Sequence, residues 1–236
     1  MPGILAIETA SEACSVALWR DGTLQQCHEI TPRQHSQRLF GMLRELLPDG
    51  QLSTHGIDAI AYGAGPGSFT GLRIAASAVQ GLAFANSLPA IPVSTLACQA
   101  QTALRLQLVD QGGYVFSALD ARINEIYCGT YQIQDGVPVE LTPPAACPPA
   151  AAELAALASK AIGVGSGCQF AHDFPSATAD RLIALEPELL PHARDLVPIA
   201  LLALERGELQ DASAVQPVYV RDEINWKKIP QQGKQS

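Results

Sequence analysis

Gly63-Ala-Gly-Pro-Gly-Ser-Phe-Thr-Gly-Leu-Arg73 sets four glycines, a proline and two hydroxyls between the apolar run Ile57–Tyr62 and a segment rich in small residues. A glycine-rich loop that opens a helix presents backbone amides at the positive end of the helix dipole, and such ends attract anions. Spacing excludes the specific loop chemistries. A P-loop needs GxxxxGK[ST], with the lysine on the phosphates and the hydroxyl on magnesium. Here Gly65 to Gly71 is one residue too long, and Leu72-Arg73 stands where Lys-Ser/Thr should be. The dinucleotide fingerprint GxGxxG fails because, counted from Gly65, its third glycine arrives late, at Gly71. A nucleophile elbow GxSxG on Ser68 would need glycines where Pro66 and Thr70 stand. Two readings remain: an anion resting on loop amides, or a chain reversal in which Ser68 caps the next helix.

Working outward, Gly3–Thr9, Cys14–Trp19 and the segment up to Ile30 read as three strands, with Asp21-Gly22 as a tight turn between the last two. Thr31–Leu47 has leucines at helical spacing and Pro48 after it. Ile57–Tyr62 reads as a strand, the glycine loop follows, and a helix runs to about Ser87. Ala90–Val93 and Ser94–Val109 add a strand and a helix. The order β-β-β-α-β-α-β-α is that of a ribonuclease-H-like unit. Tyr114–Leu119, Asn124–Ile133 and Val137–Leu141 restart it, with Asp120 and Asp135-Gly136 at nearly the same offsets as Glu8 and Asp21-Gly22. The expected architecture is α/β with two ribonuclease-H-like halves, the second smaller or degenerate. Residues 1–110 form the first half and 111–194 the second. A helix at 195–207, capped by Asp195, returns to the first half, and 221–236 is a polar tail. Thr142–Ala150 reads as a connector, Ala151–Ser159 as a short helix, and Gly163, Gly165 and Gly167 as a flexible stretch.

Hydrophobic residues make up 47 % and charged residues 16 % of the 236, enough for a sizeable core. The net charge of −8 argues against a surface that grips nucleic acid unaided. Six cysteines lack CxxC spacing and read as small apolar residues of a reducing compartment, which points to the cytoplasm. No basic leader or membrane-length apolar run is present in this sequence. The five histidines include no HxxxH or HExxH pair, so no helical metal site is expected. Glu8 and Asp120 each end an apolar strand, as do carboxylates that hold metal and nucleotide between duplicated halves; each could equally cap its own turn. In the helix after the loop, Gly71, Ala75, Ala78 and Ala85 fall near one face. Such a face suits close packing on the chain's own sheet, or on a helix of a copy or partner.

Ile4-Leu-Ala-Ile-Glu-Thr9, Glu12–Leu18, His35-Ser-Gln-Arg-Leu39, Gly65–Arg73, Gly81-Leu-Ala-Phe84 and Pro89–Val93, together with Pro217–Glu223 and Trp226-Lys-Lys228, resemble the TsaB (YeaZ) family. That resemblance implies an actin-like (ASKHA) fold and a role in making threonylcarbamoyladenosine, the modified adenosine next to the anticodon of tRNA. It implies a non-catalytic subunit that pairs with a paralogous transferase, TsaD, and works with the ATPase TsaE, touching tRNA only through the complex. Where TsaD-like chains carry a metal-binding HxxxH, this chain has Thr95 and Gln99; it also has Glu8 where the family usually has Asp. Neither Thr nor Gln replaces an imidazole ligand. The implied pairing face uses the helices near 34–46 and 68–84. Its contact residues would be Leu39, Met42, Leu43, Ser68, Phe69, Leu72, Ala75, Ala76 and Val79, with His35, Arg38 and Arg73 at the edge. The same face would support a homodimer in the partner's absence. No intrinsic cofactor is expected. ATP or ADP in the cleft, near Glu8, Thr9, Gly65, Gly67 and Asp120, or at the subunit boundary, defines the alternative reading: an ATPase acting in its own right. A peptidase reading lacks both a metal pair and a nucleophile elbow.

Overall fold

The computed structural model describes residues 2–221, so the tail read at 221–236 lies, beyond Arg221, outside the described residues. The first half comprises β1 (Ile4–Glu8), β2 (Ala13–Arg20), β3 (Thr23–Ile30), α1 (His35–Leu46), β4 (Ala59–Gly65), α2 (Phe69–Asn86), β5 (Ala90–Ser94) and α3 (Thr95–Arg105). Its sheet runs β3-β2-β1-β4-β5, antiparallel on the hairpin side and parallel from β1 to β5. The second half comprises β6 (Tyr114–Arg122), β7 (Glu125–Gln134), β8 (Val137–Cys147), β9 (Ala161–Val164), α4 (Ser176–Ala179) and β10 (Leu182–Glu186). Its order, β10-β9-β6-β7-β8, is that of the first sheet in the same sense, with the opening strand in the middle and its hairpin partners to one side. Both hairpins turn on Asp-Gly pairs with positive φ, 49° and 78° at Asp21-Gly22 and 52° and 82° at Asp135-Gly136. That is the backbone a two-residue primed turn needs. The two halves together make the actin-like (ASKHA) fold.

Strand alternation sorts the core. Leu5 and Ile7 face α1 and α2, packing with Leu39, Met42, Ala75 and Val79. Ile4 and Ala6 face the other way, onto α5 (Ala193–Arg206) through Leu196, Val197 and Ala200. Helix α3 offers Leu96, Ala100 and Ala103 to Val115, Leu119, Tyr131 and Ile133 of the second sheet. The layers therefore run α1/α2, first sheet, α3/α5, second sheet, and a shell of short turns. That last shell is where the second half is reduced: turns at Pro149–Ala151 and Ser166–Asp173 and the one-turn α4 stand where the first half has α1 and α2.

Five local expectations are corrected. Strand β4 continues through Gly63, Ala64 and Gly65, so half of the supposed loop is strand. Strand β8 extends to Cys147, and residues 152–157 form no helix, although Ala152 is buried and Leu154 packs beside it. Gly163 and Gly165 are not slack but buried among neighbouring atoms. Asp195 does not cap α5, which starts at Ala193; the Asp195 side chain is turned inward. Its carboxylate accepts from Arg105 Nε at 2.7 Å, Arg105 Nη2 at 3.0 Å and Thr102 Oγ1 at 2.8 Å, joining α5 to α3.

Removing one member of a buried, hydrogen-bonded pair strands the other, at a cost of about 3 kcal/mol. Asp195→Ala is therefore expected to lower unfolding free energy by about that amount, measured by chemical denaturation, with α5 released first in hydrogen exchange.

Candidate functional site

The end of β4 and the start of α2 are glycine-rich because other backbone lies against them. A Cβ on Gly71 would sit 1.9 Å from Thr9 O, and one on Gly67 would sit 2.5 Å from Ala10 O. At Gly65, whose φ of +129° itself disfavours a side chain, a Cβ would sit 2.5 Å from Val218 O. The amides are used as well. Ser68 N–H donates to Ala10 O at 2.7 Å, and Gly71 N–H to Ser68 Oγ at 3.3 Å, so Ser68 is the N-cap of α2. Thr9 Oγ1 donates to Gly71 O at 2.8 Å. Gly65, Gly67 and Gly71 thus let the turn after β1 and the C-terminal segment pack directly on the end of β4 and the start of α2.

Glu8 points from β1 toward Gly63 and is fully buried; a Cβ on Gly63 would lie 1.9 Å from Glu8 Oε2. Oε1 accepts from Ala10 N–H at 2.6 Å, while Oε2 has no partner among the described residues. Burial pushes the carboxyl up to about 7, against a smaller opposing pull from the Ala10 and Thr9 amides. Asp120, in the second half, accepts from Arg122 N–H at 2.8 Å and Arg122 Nη1 at 3.1 Å, so it stabilises its own turn. Between the halves, Thr95 and Gln99 on α3 are both fully buried. Gln99 Nε2 donates to Leu189 O at 2.8 Å, and Gln99 Oε1 accepts from Ser117 Oγ at 2.7 Å. The same amide lies against Gly165, where a Cβ would sit 2.3 Å from Gln99 Nε2 and 2.3 Å from Ala118 O. Among the described residues no group of three or more His, Cys, Asp or Glu side chains is placed to hold a metal ion.

The opposite side of the first half is open. A shallow groove between α1 and α2 is lined by Ser36, Phe40, Phe69, Thr70, Arg73, Ile74, Ser77 and Ala78. Phe40 is 51 % exposed and Phe69 56 %. Of the contact residues expected there, Leu39, Met42, Leu43, Leu72, Ala75, Ala76 and Val79 are buried and cannot meet a partner; all but Leu72 lie in the core beneath. The small residues of α2 are consumed in packing on their own sheet, and of that stripe only Ala85 stays exposed. His35 is buried, with Nε2 3.2 Å from Ala13 O, and Arg38 pairs with Glu29 through Nε at 2.8 Å. Ser68, Phe69 and Arg73 do lie on the surface. The Arg73 guanidinium lies 3.8 Å above the Phe69 ring, and its Nε donates to Tyr219 Oη at 3.0 Å. Phe40, Ile74 and Tyr219 were missed. Phe40 had a sequence signal, an aromatic just off the buried stripe of Leu39, Met42 and Leu43, whereas Tyr219 reaches the site only by tertiary contact.

Two consequences are measurable. Gly71→Ala forces the Thr9 backbone aside and is expected to destabilise the chain by about 2 kcal/mol or more, read from denaturant midpoints. Glu8 holds its proton when folded at pH values where the unfolded chain has lost it. Its contribution therefore favours folding at low pH and is lost as pH rises from 4.5 to about 7. Glu8→Gln is expected to gain on the parent chain across that window, by about 3 kcal/mol in total, when stabilities are compared at pH 4.5 and pH 8.

The family model "TsaD: tRNA N6-adenosine threonylcarbamoyltransferase" matches residues 27–228. The chain is 41 % identical to the tRNA threonylcarbamoyladenosine biosynthesis protein TsaB of Escherichia coli, over 96 % of this chain and 98 % of that protein. It is 34 % identical to the protein of the same name from Haemophilus influenzae, over 96 % and 97 % of the two chains. The structure of YeaZ from Pseudomonas aeruginosa superposes with a TM-score of 0.86 at 43 % identity, covering 93 % of this chain and all of that one. Matches of this extent, on a duplicated ribonuclease-H-like frame, show that the chain belongs to the TsaB (YeaZ) family of actin-like proteins.

Proposed function

We propose that this chain is the non-catalytic partner subunit in threonylcarbamoylation of the tRNA adenosine next to the anticodon. Its α1/α2 face binds a TsaD-type transferase and activates it. The observation that carries this reading is the pair of aromatic rings, Phe40 and Phe69, left exposed across the groove between α1 and α2, while Leu39, Met42, Leu43 and Leu72 of the same helices are buried. Contiguous exposed aromatics on a stable scaffold are the usual anchors of a protein interface. The relatives' names place them in threonylcarbamoyladenosine biosynthesis, and the matching family model describes the transferase itself. The filled loop and cleft supply the complementary half of the reading. Gln99 occupies the space against Gly165, and the Glu8 carboxylate is turned onto the Ala10 amide. Nucleotide then belongs to the subunit boundary or to a TsaE-type ATPase, and tRNA reaches this acidic chain only through the complex. Free of its partner, the chain pairs with a second copy through the same face. Its six free cysteines suit a reducing cytoplasm.

The test is reconstitution of tRNA modification from the catalytic paralogue and a threonylcarbamoyl-adenylate donor. Modification is expected to require this chain; full activity of the paralogue alone would end the proposal. Phe40→Glu and Phe69→Glu, both at exposed positions, are each expected to weaken the complex by about 2 kcal/mol, roughly thirtyfold in Kd, with Tm unchanged.

A further inference from the structure

After α5 the chain returns along the first half. Gln210 bridges Ala90 on β5 through paired backbone hydrogen bonds of 2.8 Å, and Tyr62 Oη donates to Gln216 O at 3.2 Å. Val218 N–H then donates to Ala64 O at 2.7 Å, which lays the segment along the end of β4 and over Gly65. From there two nearby side chains reach different halves. Tyr219 receives the Arg73 hydrogen bond and packs its ring 5.7 Å from that of Phe69. Arg221 donates to Ala121 O at 3.3 Å, pairs with Glu125, and lies 5.8 Å over the Tyr127 ring. Tyr219 and Arg221 lie two residues apart, so the same short segment that packs on the start of α2 also ties down the turn between β6 and β7.

That turn is unusual. Arg122, Ile123 and Asn124 have φ of 65°, 54° and 56°, all left-handed. Asn tolerates this conformation; a β-branched residue does so at a cost of about 1–2 kcal/mol. Ile123 nevertheless stands at the tip and is 78 % exposed, so burial within the chain does not offset the cost. We infer that the docking surface does not stop at α1 and α2 but crosses Val218 and Tyr219 to Ile123 in the second half. Its occupant is the same transferase subunit, which covers Ile123 on binding. The inference rests on the α1/α2 face being the docking face. Continuity carries it: Phe69 and Arg73 belong both to the α1/α2 groove and to the contact with Tyr219. A partner seated on two helices alone would leave Tyr219, Val218 and Ile123 uncovered at its margin, 49 %, 52 % and 78 % exposed.

The discriminating variant is Ile123→Asn, which relieves the backbone while removing the apolar side chain. It is expected to leave Tm unchanged or higher and to weaken binding of the catalytic paralogue at least tenfold, whereas a purely structural Ile123 would show no binding loss. Tyr219→Ala is expected to weaken binding similarly, and Tyr219→Phe, which keeps the ring, to stay within threefold of the parent. If Ile123→Asn and Tyr219→Ala bind within twofold of the parent while Phe69→Glu loses binding, the docking face ends at the helices and the inference is overturned. If Phe69→Glu also binds normally, the α1/α2 reading itself has failed.

Discussion

Close backbone approach at the end of β4 is the constraint on which the rest depends. Three glycines, Gly65, Gly67 and Gly71, let the C-terminal segment and the turn after β1 lie directly against the strand end and the first turn of α2. Any side chain there would intrude on a carbonyl oxygen. With the glycines in place, Thr9 and Ala10 hold the start of α2 through Gly71 O and Ser68 N–H, and Val218 extends hydrogen bonding past the strand. The helix that carries Phe69 and Arg73 is fixed in direction by these contacts.

A second, softer joint lies between the halves. Helices α3 and α5 share the layer between the sheets, tied by Asp195, Arg105 and Thr102. His28 on β3 stacks on His192 at the start of α5, ring centroids 3.7 Å apart, and burial keeps both below the usual histidine range. Stacked, half-buried imidazoles are compatible with the neutral form, which suits a static contact at neutral pH. With Gln99 bonded across to Ser117 and Leu189, the region that opens and closes on ligands in many two-half folds is here cross-linked by hydrogen bonds.

The fold was legible because its signals are local. Asp21-Gly22 and Asp135-Gly136 announce hairpins, the run Ile4–Ile7 announces a buried strand, and Ser68 announces a helix start. What misled was of one kind: residue types whose meaning depends on a distant neighbour. Gly63 and Gly65 looked like loop because their partners, Glu8 and Val218, are remote in sequence. Asp195 looked like a cap because Arg105 was not in view. Leucines and alanines on α1 and α2 looked available to a partner, but helical periodicity marks the stripe that will be buried and does not say by what.

The sequence by itself determined the hairpin turns, the duplicated plan and the family, since each rests on local backbone preference or on matched motifs; the edge strand β10 (Leu182–Glu186) it did not show. Only the tertiary structure decided that the glycine motif accommodates close-packed protein backbone, and that Phe40, Phe69 and Tyr219 are exposed where the leucines of α1 are buried. The physical reason is that excluded volume and burial are properties of pairs. A glycine records that something comes close and an apolar residue records that something covers it; what comes close or covers it is fixed when segments as far apart as Gly65 and Val218 are packed together.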